Sequence, residues 1–148
     1  MPTVSRKRTV PAPRRDVWDV VADPYHLPRW WPRVERVEEV TDDSWTEVMM
    51  SSRGRPVRLD YTQVEAEPRR RLVWRLEVDE SPFERLFAES VLEIELEPDE
   101  DERTTVRLTL DQKLRGKSRF GGGMVKRAAR RQLKEALEGL ARAFGEPA

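Results

Sequence analysis

The 148-residue chain contains no cysteine and one histidine, His26. Without cysteine there is no disulfide framework, no thiolate nucleophile and no Cys-ligated metal. A Ser-His-Asp triad would have to use His26, which lies beside Pro24 and reads as a surface or capping residue. HExxH, CxxC and paired-histidine spacings are missing, so neither a metal nor another cofactor is expected. A G-x-S-x-G elbow is also missing, and the GGG at 121–123 lacks the G-K-[ST] ending of a phosphate-binding loop. Charge of one sign is not in excess either, because 28 Lys+Arg balance 28 Asp+Glu. That balance removes the global field that would draw the chain to nucleic acid or an anionic bilayer. No apolar run approaches the roughly 20 residues that span a membrane, and the first thirty residues have no signal-peptide core. The expectation is a cytoplasmic protein without stable membrane insertion, a monomer or homodimer.

What is present is pattern. Residues 3–10, TVSRKRTV, read as a first strand. PAPRRDVWDVVADP then reads as a helix opened by Pro13 and closed before Pro24, and PYHLPRWW as a second helical turn ending near Pro32. From Val34 the period changes to two. VERVEEV, WTEVMMS, VRLDYTQVEA, LVWRLEVD, VLEIELE and TTVRLTLDQKL follow one another across short polar turns, which is hairpin spacing. Leu72, Trp74, Leu76 and Val78 share a face, as do Leu92, Ile94 and Leu96, and Val106, Leu108 and Leu110. Residues 124–144 form the longest helical pattern, with Val125, Ala128, Ala129, Leu133, Ala136, Leu137, Leu140 and Phe144 in one stripe. A sheet with one apolar face and a long amphipathic helix each need a cover, and the simplest solution is that they cover each other. No repeat or linker divides the chain, so residues 1–148 form one α+β domain.

Aromatic residues are only 7% of the chain, yet two of the five tryptophans adjoin at a bend, in ADPYHLPRWWPRVERVEEV at 22–40. The order strand, two short helices, six-strand meander and long helix, together with the D-P-x-x-L-x-x-W-W-P-x-V-x-x-V run at 23–37, resembles the START-like (SRPBCC) superfamily and its bacterial polyketide cyclase/dehydrase-like branch. The resemblance implies a helix-grip fold, a curved antiparallel sheet of about seven strands (β-α-α-β6-α) wrapped on the C-terminal helix, with a cavity between them. It also implies a hydrophobic ligand, a polyketide, lipid or other polycyclic or acyl molecule, and polyketide cyclase or aromatase activity. A carrier or protein-interaction module without turnover is the alternative.

On that frame Trp30 and Trp31 close one end of the cavity, or fill core where layers meet. Phe83, Leu86 and Phe87 of ESPFERLFAES stand at i, i+3 and i+4, so one helical turn would present all three as a lid or as a small satellite cluster. The inward strand registers add Tyr61, Gln63, Trp74, Leu108 and Gln112, and the helix adds Leu133, completing the expected ligand-binding set. No established catalytic signature is present. The weak catalytic candidates are Tyr61, Gln112 and Glu47. In WTEVMMS, Trp45, Glu47 and Met49 share one face while Val48 and Met50 share the other, so the register is open. An exposed Glu47 is the expected arrangement; turned inward, it would be a desolvated carboxylate with a raised pKa.

Overall fold

A computed structural model describes residues 3–51, 53–116 and 121–145. The elements follow the expected order. Strand β1 (Thr3–Val10) leads to α1 (Arg14–Val21), a 3-10 turn at Pro24–His26 and α2 (Leu27–Trp30). The meander is β2 (Val34–Glu38), β3 (Ser44–Met50), β4 (Pro56–Glu67), β5 (Arg71–Leu76), β6 (Phe87–Asp99) and β7 (Arg103–Leu114), and α3 (Gly122–Ala143) closes the chain. The seven strands form one antiparallel sheet in the order β1-β7-β6-β5-β4-β3-β2. This is the helix-grip architecture. Three registers shift, at Val34/Arg36, Gln63/Glu65 and Phe87/Glu89. Each bulge bends its strand and adds twist, so the sheet curves.

Among the boundaries that differ from the sequence reading, three bear on the site. β5 stops at Leu76, although Val78 is still buried, because the chain there turns into the 78–87 segment. β6 begins at Phe87 rather than Val91, since β7 is long enough to pair it back to Leu114. α3 begins at Gly122, so two of the three glycines are helical and Gly121 is the cap residue.

Packing divides the inner face in two. At one end α1 lies on β6 and β7, and the second half of α3 lies on β1. There Leu133, Leu137 and Leu140 meet Val10, Val106 and Leu108 in one closed core. α2 is wedged against α3 through Gly139, where a Cβ would stand 2.4 Å from the Trp30 carbonyl oxygen. That contact is backbone on backbone, so only glycine allows the two helices this approach without displacing α2. At the other end α3 carries the smaller Val125, Ala128 and Ala129.

Candidate functional site

Between this end of α3 and the sheet lies a cavity of about 410 Å³. Its floor is the start of β4 and β6 and the end of β5 and β7, with Leu59, Tyr61, Trp74, Leu76, Leu92 and Leu110 facing in. Trp31 and Pro32 border it from the helical pair, Met49 and Glu47 from β3, and Val125, Ala128, Ala129 and Gln132 from α3. The size lies within the roughly 300–1,000 Å³ typical of small-molecule sites, and the wall is mostly ring and aliphatic carbon.

The 78–87 segment makes one further side. The Ser81 hydroxyl donates to the Val78 carbonyl (2.6 Å) and accepts from the Phe83 amide (3.1 Å), while the Phe83 carbonyl accepts from the Leu86 and Phe87 amides at 3.0 and 2.9 Å. The result is the expected single helical turn, with Phe83, Leu86 and Phe87 all bordering the cavity. Arg115 fastens it to the end of β7: its amide donates to the Leu86 carbonyl and its Nε to the Phe87 carbonyl, each at 2.9 Å.

Aromatic rings form a connected wall. Trp30 and Trp31 meet edge to face at 5.4 Å, and each lies 6.2 Å from Trp74. Trp74 meets Trp45 edge to face at 5.0 Å, and Trp45 stacks on Tyr61 at 5.8 Å. The last pair follows from the register, which sets Trp45 directly opposite Tyr61. Offset and edge-to-face pairs of this kind add about 0.5–1.5 kcal/mol each beyond the area they bury.

Besides the Tyr61 phenol, the sheet side of this wall carries two further polar features, and the first overturns the expectation of an exposed Glu47. The Glu47 side chain is inside, 1% exposed. Val48 on the opposite face is equally buried because its strand neighbours are Arg36 and Arg58, both of which pair with Glu38 at 2.7 Å beside it. The long arginine stems cover the valine, so β3 has apolar positions on both faces and its alternation carries no direction. Glu47 Oε2 accepts from Trp45 Nε1 at 3.1 Å, and Oε1 has no partner among the described residues. Burial pushes the carboxyl up to about 7, against a smaller downward pull from the Trp45 donor. Burial, with the Glu47 charge second, also raises the Tyr61 phenol well above its ordinary range. A carboxyl titrating near 7 can give or take a proton at neutral pH, and a phenol held neutral can donate a hydrogen bond.

The second polar group is a cross-strand pair, Ser90 and Gln112, in which Gln112 Nε2 donates to Ser90 Oγ at 3.4 Å. Ser90 was not among the expected site residues. Extending the alternation of Leu92, Ile94 and Leu96 back by one step would have found it.

Of the residues expected at the site, Trp31, Glu47, Tyr61, Trp74, Phe83, Phe87 and Gln112 border the cavity. Trp30, Gln63, Leu108 and Leu133 do not. Leu108 and Leu133 are fully buried in the closed half of the core, Trp30 sits behind Trp31 against α3, and Gln63 lies at the β4 bulge beyond the cavity's end. Period two and period 3.6 identify the face but not the distance along it. His26 is in the 3-10 turn, with Nδ1 3.1 Å from Arg29 and Nε2 3.7 Å from Asp23, and takes no part in the cavity. Among the described residues no cluster of three metal-ligating side chains occurs, and no helix is long and apolar enough to cross a membrane.

A family model described as "Polyketide cyclase / dehydrase and lipid transport" matches residues 1–145. No curated protein matches the sequence. Among solved structures, the chain is similar to a START superfamily protein from Mycobacterium smegmatis, with 16% identity, a TM-score of 0.80 and 96% of each chain covered. It is similar to the Zhui aromatase/cyclase from a Streptomyces species, with 19% identity, a TM-score of 0.79, and 96% of this chain and 92% of that one covered. The di-domain aromatase/cyclase BexL gives 23% identity and a TM-score of 0.80 over 96% of this chain and 46% of the di-domain. At these identities the structural likeness establishes the shared fold.

Proposed function

Because this chain belongs to the polyketide cyclase / dehydrase and lipid transport family, we propose that it binds an apolar small molecule of polyketide or lipid type between the sheet and the first half of α3. The observation that carries this reading is the composition of α3. Its apolar stripe is Leu133, Leu137 and Leu140 with Ala136 and Ala141 where the helix meets the closed core, and has no leucine, only Val125, Ala128 and Ala129, where it borders the cavity. A core built only for stability would fill that space, since each unfilled methyl-sized void costs about 1 kcal/mol. The aromatic wall supplies contact area, while Tyr61, Gln112 and Ser90 supply a few convergent polar groups.

Ala129→Leu tests the reading by placing three more carbons in the cavity. Titration with N-phenyl-1-naphthylamine, an apolar fluorophore of suitable size, is expected to show affinity weakened about tenfold or more, a loss of about 1.4 kcal/mol. The variant should keep its Tm within roughly 4 °C of the parent, because Ala129, although buried, borders the cavity and the added carbons have that space to enter. Unchanged affinity in a folded Ala129→Leu variant would place the probe elsewhere and count against the proposal.

A further inference from the structure

The Glu47 carboxyl is a costly object in an apolar chamber. It is 1% exposed, it has one neutral donor at Oε2, its Oε1 is buried without a partner among the described residues, and the residue is part of the cavity lining. No lysine or arginine forms an ion pair with it among the described residues. Arg33 and Arg131 also border the cavity, but both are solvent-exposed. A buried carboxylate without a counter-charge is destabilising, and the group that best relieves it is a cation with a proton to donate. Around this carboxyl are aromatic rings, with Trp31, Tyr61 and Trp74 all bordering the same space and Trp45 linking the last two. Rings attract cations through their negative faces, most strongly where water is excluded. A carboxylate within an aromatic enclosure is therefore matched to an ammonium group, and an apolar wall beyond it to a hydrocarbon body.

We infer that the cavity takes an apolar molecule bearing a protonated amine, with the amine paired to the Glu47 carboxylate among the rings of Trp31, Tyr61 and Trp74. This rests on the binding proposal above and narrows it from any hydrophobic ligand to a hydrophobic amine. The Ser90–Gln112 pair, on the opposite strands of the floor, is left for a neutral polar group of the same ligand.

Isothermal titration at pH 8 with two ligands of one shape, 1-naphthylmethylamine and 1-naphthalenemethanol, separates the two claims. The expected result is that the amine binds about tenfold or more tightly than the alcohol, and that this ratio falls toward one in Glu47→Gln. Equal binding of amine and alcohol to the parent chain would overturn the amine inference and leave the hydrophobic cavity standing. A preference for the amine that persists in Glu47→Gln would put the cation away from Glu47 and overturn it as well. Binding of neither ligand would overturn both claims together.

Discussion

Trp74→Ala is expected to lower the free energy of unfolding by about 3–4 kcal/mol. Trp74 is 3% exposed and central to the aromatic wall, touching Trp30, Trp31 and Trp45 from the middle strand of the sheet. Its removal ends three ring contacts at once. The partners cannot close the gap, because Trp30 is held by the backbone approach at Gly139 and Trp45 by its hydrogen bond to Glu47. The lower part of the range found for large-to-small aromatic changes applies, since one side of the ring already looks into open space. Against a typical total of about 5–15 kcal/mol this loss is a large fraction. Urea denaturation followed by fluorescence of the remaining tryptophans measures it, and a loss under about 1 kcal/mol would show that the aromatic wall contributes little to stability.

Glu47→Gln carries the other large effect, and it depends on pH. The carboxyl titrates at about 7 in the folded chain and near 4.5 when unfolded. Below pH 4.5 both states hold the proton and burial of the neutral acid carries no ionic penalty. Between 4.5 and 7 the unfolded chain releases its proton while the folded chain keeps it, so stability falls as pH rises, and above 7 the loss is complete. The total is on the order of 3 kcal/mol. Glutamine does not titrate, so the stability difference between Glu47→Gln and the parent should move by about that amount in favour of the variant between pH 4 and pH 8. Other carboxylates are common to both chains and cancel. A difference that stays constant with pH would show that Glu47 is solvated or paired in the folded protein.

The fold was legible because strands and helices repeat with different periods, and the change from helical to two at Val34 opens the meander. The faces of β5, β6 and β7 were legible for the same reason. β3 was not: with Trp45 and Glu47 on one side and Val48 buried under paired arginines on the other, alternation names two inner faces. Charge then favoured putting Glu47 in water, whereas the cross-strand stacking of Trp45 on Tyr61 holds that face inward. Cavity position was only partly legible. Leu108 and Gln112 share a face of β7, but the first is sealed under α3 and the second borders open space, a difference set by which helix residues lie above each. The absence of leucine from the first half of α3 was visible in the sequence, and read together with the strand ends it would have placed the cavity. The Gly139 contact with Trp30 joins segments more than a hundred residues apart, and nothing in either segment alone announces it.

An apolar molecule is proposed to occupy this cavity and no other part of the chain. The five tryptophan indole N–H groups report on it directly in a nitrogen-proton correlation spectrum. Trp31 and Trp74 border the cavity, whereas Trp18 lies on α1 outside it. Saturation with N-phenyl-1-naphthylamine should shift the Trp31 and Trp74 indole signals strongly and leave Trp18 in place. A shift at Trp18 with Trp31 and Trp74 unmoved would contradict the account.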